Sequence, residues 1–173
     1  MKFASSLSVA ILTVVAVGAG LINMTPVAIA APAAGSWEQS ILGEGIMNGS
    51  GFLTNINTNV WSDSNGTAFG SFFYERSDGF KMYANAECAK TFEQGKVATI
   101  SGPIAKKVGT PGSGDDGSWM YFEINSIGRM RVLTLSKETA LKYCNKPTGE
   151  FYGDFTSGGL TIKLNRRIRP TIR

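Results

Sequence analysis

Histidine is absent from this sequence of 173 residues, and cysteine occurs only twice. Without histidine the chain cannot form Ser-His-Asp or Cys-His catalytic groups, imidazole proton shuttles or histidine-ligated zinc sites. No phosphate-binding glycine loop follows a strand and opens a helix, so a nucleotide-binding motif is lacking as well. We therefore predict no catalytic residue, no cofactor, no resident metal and no specific nucleic-acid binding.

The first residues of the chain are typical of an export signal. Lys2 precedes an apolar stretch over residues 7–17, and Ala28-Ile29-Ala30 supplies a small-residue cleavage site. Because residues 7–31 contain no charge, an uncleaved membrane anchor is the alternative. We predict a signal peptide at residues 1–30 and a secreted, periplasmic or cell-envelope protein.

Charge is distributed unevenly over the exported part. Residues 31–162 hold 11 basic and 13 acidic residues, whereas residues 163–173 contain basic residues and no carboxylate. The basic residues of this end are Lys163, Arg166, Arg167, Arg169 and Arg173. We expect one domain at 31–162 and a basic tail at 163–173 that either is simply solvated or binds an anionic envelope surface or polymer.

The two cysteines, Cys88 and Cys144, both lie in the exported part. Oxidising conditions outside the cytoplasm favour a disulfide between them. In the chain-entropy model, closing such a loop stabilises the fold by about 4 kcal/mol. We predict this disulfide, with Cα atoms about 4.4–6.8 Å apart.

Strand periodicity dominates the predicted domain. Two segments alternate most clearly, and we expect their apolar members to share one core: Phe80, Met82, Ala84, Ala86, Met120, Phe122 and Ile124. Lys81, Asn85 and Glu87 should then face water. Further strands are predicted at 37–47, 51–61, 67–76, 96–104, 129–135 and 150–164. Hairpin turns at Asn65-Gly66 and Asp78-Gly79 favour an antiparallel all-β fold, either a small barrel or a sandwich.

One helix and one long loop interrupt this pattern. Ser136 can cap a helix that ends near Cys144, and we expect the disulfide to fasten it across the sheet or across a barrel mouth. Residues 106–118 have the composition of a mobile loop. Asp115 and Asp116 in that loop favour a solvated turn, with oxygen ligation of a hard cation as the alternative.

Several acids lie in or near the predicted strands, namely Glu44, Glu75, Glu87, Glu123 and Asp154. A glycosidase needs only two carboxylates, so a carboxylate-based hydrolase is a possible function. Nothing in the spacing selects a pair, and acids on the wet face of a sheet are the usual case. We therefore expect these residues to face solvent.

Residues 48–124 resemble a group of uncharacterised exported bacterial β-rich proteins. The matching residues are Gly49-Ser50-Gly51, Cys88, the segment Gly95 to Gly102, Pro111-Gly112 and Asp115. The resemblance implies exported β structure and transfers no activity. In addition, Gly35-Ser36-Trp37 is similar to the Gly-x-Trp of lipocalin-like and avidin-like barrels, which implies a tryptophan closing one end of a ligand cup.

These features support three hypotheses of function. The first is a secreted or envelope-associated, monomeric, non-enzymatic β-domain that acts by binding or has a structural role. The second is a small-ligand carrier with a cavity inside a barrel. The third is the carboxylate-based hydrolase.

Overall fold

The computed structural model describes residues 37–49, 51–112 and 115–164. The predicted signal peptide at 1–30 and the arginines at 166, 167, 169 and 173 lie outside the described residues. The elements, in chain order, are β1 (Gln39–Gly49), β2 (Phe52–Ser62), β3 (Ala68–Arg76), β4 (Lys81–Asn85), β5 (Cys88–Phe92), β6 (Val97–Val108), β7 (Trp119–Asn125), β8 (Arg129–Leu135), α1 (Lys137–Asn145) and β9 (Gly153–Leu164).

The two predicted hairpin turns form as expected. Gly66 and Gly79 adopt φ of +88° and +89°, conformations that an L side chain would strain. The side chain of Asp63 accepts hydrogen bonds from the Asn65 and Thr67 amides, both at 2.9 Å, and so fixes the first turn. As predicted, the strands on either side of each turn pair antiparallel, β2 with β3 and β3 with β4.

Pairing continues around the molecule until the sheet closes. Strand β9 returns to pair with β1, while β4 and β5 both pair with β6 as the two halves of one bent strand. A Cβ at Gly102 would lie 1.7 Å from the Asn85 carbonyl oxygen, so only glycine permits this bend. The fold is therefore a closed antiparallel barrel of eight strands, and of the two predicted forms it is the barrel.

The ladder between β8 and β9 is short. It contains two residue pairs, Arg129 with Asp154 and Met130 with Gly153, and it stops while β8 runs on to Leu135. Strand β9 instead pairs with β1 along nearly its whole length. The last residues of β8 therefore have no β9 partner on that side of the barrel wall.

The barrel centre is filled by side chains. All seven residues predicted to share one core are buried, and Phe122 packs edge-on against Phe72 with ring centroids 4.9 Å apart. Asn85 and Glu87 are exposed, and Lys81 is half-buried in an ion pair with Glu75. An eight-stranded barrel is just wide enough for such packing, which leaves its ends as the places for a cavity.

Helix α1 lies against the outer wall of the barrel. The Ser136 side chain accepts a hydrogen bond from the Thr139 amide, as a cap does, and Ala140 and Cys144 are buried. The predicted disulfide Cys88–Cys144 is present, with Cα atoms 6.4 Å apart. Thr99 on β6 donates a hydrogen bond of 2.8 Å to the Cys144 carbonyl. The helix is thus fastened across the sheet and not across a mouth.

Within the described residues, no helix has the length and hydropathy needed to cross a membrane.

We predict that Phe122→Ala lowers the free energy of unfolding by about 3–5 kcal/mol, because it opens a void at the barrel centre. Urea unfolding followed by tryptophan fluorescence measures this change. The control Ile127→Ala, at a side chain that is 78% exposed, should change stability by less than about 0.5 kcal/mol. Equal midpoints for Phe122→Ala and the unmodified protein would contradict the packing described.

Candidate ligand-binding site at one mouth of the barrel

The strand register identifies the side chains that enter the barrel at the end formed by the β1–β2 and β3–β4 turns. Directly paired residues point to the same side of a sheet. Thr54 is buried in the interior and pairs with Arg76, and buried Phe122 pairs with Val132. Arg76 and Val132 therefore both point inward at this mouth.

A cavity of about 710 Å³ occupies this mouth. Its walls come from β2, β3, β4, β8, the β3–β4 turn and the loop between β6 and β7. The lining residues are Phe52, Tyr74, Arg76, Asp78, Met82, Thr110, Pro111, Gly112, Asp115, Val132, Leu133 and Thr134. The size lies within the range of small-molecule sites in proteins.

Arg76 is the central polar group of the cavity. Its side chain is only 10% exposed, and its guanidinium carbon lies 4.8 Å from the ring centroids of both Phe52 and Phe80. Asp78 accepts two hydrogen bonds from it, from Nε at 3.1 Å and from Nη2 at 2.7 Å. Asp115 accepts a third, from Nη1 at 2.8 Å. The buried charge is therefore compensated by two carboxylates.

The loop that carries Asp115 is held to the barrel. Lys107 Nζ donates hydrogen bonds to the carbonyls of Asp115, at 2.7 Å, and Gly117, at 2.8 Å. The predicted mobile segment 106–118 begins later than composition suggests, because β6 extends through Val108. The Gly117 amide also donates a hydrogen bond of 3.3 Å to the Thr134 hydroxyl, so Arg76, Lys107 and Thr134 all hold the described part of this loop.

Asp115 binds Arg76, whereas Asp116 is exposed. The described residues contain no group of three or more metal-ligating side chains.

Tyr74 provides a hydroxyl inside the mouth. Burial raises the pKa of Tyr74 above its ordinary value of 10.0, and the Arg76 guanidinium offsets part of this rise. The hydroxyl is therefore neutral at physiological pH and can donate or accept a hydrogen bond. Together with the apolar side chains of Phe52, Met82 and Val132, it gives a surface suited to an amphipathic molecule.

The two carboxylates of the mouth are poorly suited to acid catalysis. A glycosidase needs one carboxyl whose pKa is raised so that it can protonate a leaving group. Here the hydrogen bond from Arg76 lowers the pKa of Asp78, and Asp115 is bound by the same guanidinium. The arrangement fixes Arg76 in place.

The expected exposure of Glu123 is wrong. Its side chain is 0% exposed on the outer wall, because α1 and the segment that follows the helix cover this face of β7. The carboxylate accepts hydrogen bonds from the Tyr121 hydroxyl at 2.7 Å and from the Thr148 amide and hydroxyl at 3.0 and 2.8 Å. Its other oxygen accepts one from the Gly149 amide at 2.7 Å. Glu123 is therefore a structural group that holds the chain after α1 to the barrel.

The other acids considered as catalytic candidates do not form a pair of facing carboxylates. Glu75 pairs with Lys81, Asp154 pairs with Arg129 at 3.0 Å, and Glu44 and Glu87 are exposed.

Two further predicted site residues lie at the opposite end of the barrel. Trp37 precedes β1 there and packs against Phe69, with ring centroids 6.1 Å apart. Lys163 is exposed on β9, paired with Ser40, so the barrel continues through Leu164. The structure thus keeps Trp37 and Lys163 away from the mouth cavity.

The sequence reasoning missed Arg76. Its position has the same alternation as Phe72 and Tyr74, which pointed to an inward side chain. A charged residue at such a position is a usable signal of a polar site, since it must find partners inside.

Comparison of the chain with family models, with curated proteins and with solved structures gives no match in any of the three.

We predict that Glu123→Ala lowers the free energy of unfolding by about 3 kcal/mol or more, because it leaves buried donors of Tyr121, Thr148 and Gly149 without an acceptor. Glu123→Gln, which keeps the volume and one acceptor oxygen, should fall between this variant and the unmodified protein. Thermal unfolding by circular dichroism measures both. The control Glu87→Ala removes an exposed acid and should change little; an equal loss for the two alanine variants would refute the role of Glu123.

Stability should also fall at alkaline pH. Burial, and then the hydrogen bond to Glu123, hold the pKa of Tyr121 well above 10.0. The unfolded chain therefore loses this proton near pH 10 while the folded protein keeps it, so the stabilisation is complete below about pH 10 and declines above it. Urea unfolding from pH 8 to 11 should show a shallower decline for Tyr121→Phe. Parallel curves for the two proteins would contradict this assignment.

Proposed function

We propose that the chain is an exported, non-enzymatic barrel protein that binds a small amphipathic molecule in its mouth cavity. The observation that carries this proposal is the cavity of about 710 Å³ beside Arg76 and Tyr74, above a barrel centre filled by side chains. A site of that size, whose lining combines apolar side chains with an equal share of polar ones, suits a ligand with one or two rings and a hydrogen-bonding group.

The charges of the mouth favour an uncharged ligand. The guanidinium of Arg76 is already shared by Asp78 and Asp115. A ligand carboxylate would have to displace one of these aspartates, and it would gain only the contact that the aspartate lost. An uncharged molecule can instead contact Phe52 and Val132 and form a hydrogen bond with Tyr74.

Export is supported by two independent features. The chain starts with the charge and apolar pattern expected of a signal peptide. The Cys88–Cys144 disulfide is of the kind that persists in oxidising compartments. Attachment of the basic end to an anionic envelope surface is part of the same proposal, and exposed Lys163 would be its first residue.

We predict that the uncharged fluorophore N-phenylnaphthylamine gains fluorescence on binding the purified protein. Val132→Trp places a large ring in the cavity and should abolish this gain. Ile127→Trp adds the same ring on the outer surface, at a side chain that is 78% exposed, and should leave the gain unchanged. Fluorescence titration, with thermal unfolding to show that each variant is folded, gives both results.

If the barrel has no binding function, the fluorophore will not gain fluorescence with the unmodified protein. Equal binding by the two tryptophan variants would place the probe elsewhere. Either result would refute a ligand site at this mouth and would favour a structural role.

A further inference from the structure

The outer surface of β2, β3 and β4 has an unusual composition for the wet side of a barrel. Its members, which we call the aromatic–amide face, are Asn55, Asn57, Asn59, Trp61, Phe69, Ser71, Phe73, Tyr83 and Asn85. They alternate with the buried residues of the same strands, and each is half-buried or exposed. Large rings on an outer face mark a contact surface more often than isolated apolar residues do.

The rings of this face lie in two cross-strand pairs. Trp61 is the register partner of Phe69 on the neighbouring strand, and the Phe69 ring also packs against Trp37. Phe73 is the direct partner of Tyr83, and their ring centroids are 4.8 Å apart. Since Phe69 and Phe73 are four positions apart on β3, the two pairs are separated by roughly 14 Å along the strand. A short extended chain of ring-shaped units can span that distance.

A row of uncharged polar side chains lies between the two ring pairs. Asn59 pairs with Ser71, and Ser71 pairs with Asn85 across the three strands. Asn57 lies beside Phe73 in the next row. Within the described residues, the side-chain amides of these asparagines have no partner in the protein. They can therefore donate and accept hydrogen bonds with a ligand.

Charged side chains border the face. Glu75 and Lys81 form an ion pair at one end, and Lys106 lies on the adjoining strand beside Tyr83. Exposed Glu44 on β1 pairs with Asn57, and exposed Glu87 follows Asn85 on the outer side. The surface between the ring pairs is neutral. It is therefore complementary to an uncharged partner and offers little to a nucleic acid or an anionic lipid, which need clustered cations.

We propose that the aromatic–amide face binds a neutral polysaccharide in an extended, β-linked form. The C–H faces of pyranose rings would stack on the two ring pairs, and sugar hydroxyls would form hydrogen bonds with the amides between them. A second copy of the chain is the rival occupant. Its own amides can pair with those of this face, so the oligomeric state is measured alongside sugar binding.

Isothermal titration of the purified full-length protein with cellohexaose and hexa-N-acetylchitohexaose, two neutral β-linked probes, tests this proposal. Binding is expected, and it should exceed that of α-linked maltohexaose. Trp61→Ala and Phe73→Ala should each weaken it roughly three- to tenfold, the value of one aromatic contact. Asn59→Ala should weaken it as well. Tyr152→Ala removes an exposed ring outside the face and should leave the affinity unchanged.

Thermal unfolding identifies any variant that fails to fold. If a ring variant does not fold, the sugar affinity of Asn59→Ala, a change at a surface amide, tests the proposal instead. The proposal is overturned if neither β-linked probe binds, or if the face variants bind as the unmodified protein does. It is also overturned if sedimentation shows a dimer that Trp61→Ala dissociates. Val132→Trp should retain sugar binding, so failure at the mouth and failure at this face are separate results.

Discussion

The ring of backbone hydrogen bonds that closes the sheet is the constraint on which the rest of the structure depends. Pairing of β9 with β1 and of β4 with β6 removes the free edges that an open sheet would expose. Closure at eight strands also fixes the interior width, so the buried core, with Phe72 packed against Phe122, fills the centre. A ligand can therefore enter the barrel only at one of its ends. The cavity lies at the end where β8 extends beyond its pairing with β9.

Loops supply most of the hydrogen-bond partners of Arg76 and Glu123, two charged groups that the barrel buries. Inside the wall, Arg76 is bound by Asp78 from a turn and by Asp115 from the long β6–β7 loop. Outside the wall, Glu123 is bound by Thr148 and Gly149 from the segment after α1. Each charge would be costly without its partners, so each also fixes a loop against the barrel. The mouth cavity accordingly has walls that are held in place before a ligand arrives.

Local chemistry explains how much of the fold could be predicted from the sequence. Alternating residues gave the strands, the Asn65-Gly66 and Asp78-Gly79 pairs gave the turns, and Ser136 gave the start of the helix. The disulfide followed from the presence of two cysteines in a chain predicted to be exported. The strands, turns and helix start depend on residues that are close in the chain, and the disulfide depends on the number of cysteines. The structure confirms these features.

The candidate site depended on contacts that no local pattern contains. Arg76 binds Asp115 across 39 positions, and the helix that covers Glu123 is joined to the sheet by a disulfide between cysteines 56 positions apart. The choice between barrel and sandwich rested on the pairing of β1 with β9, at opposite ends of the domain. Alternation alone placed Glu123 on a wet face, since it distinguishes two faces but does not show what covers the outer one.

Amide chemical-shift mapping by NMR tests the ligand site most directly. During titration of the full-length protein with N-phenylnaphthylamine, shifts should concentrate at Phe52, at Tyr74 to Arg76 and at Val132 to Thr134. Amides near Trp37 and Lys163, at the other end of the barrel, should remain unshifted. Shifts centred on that other end, or spread evenly over the outer wall, would contradict a ligand site at the mouth beside Arg76.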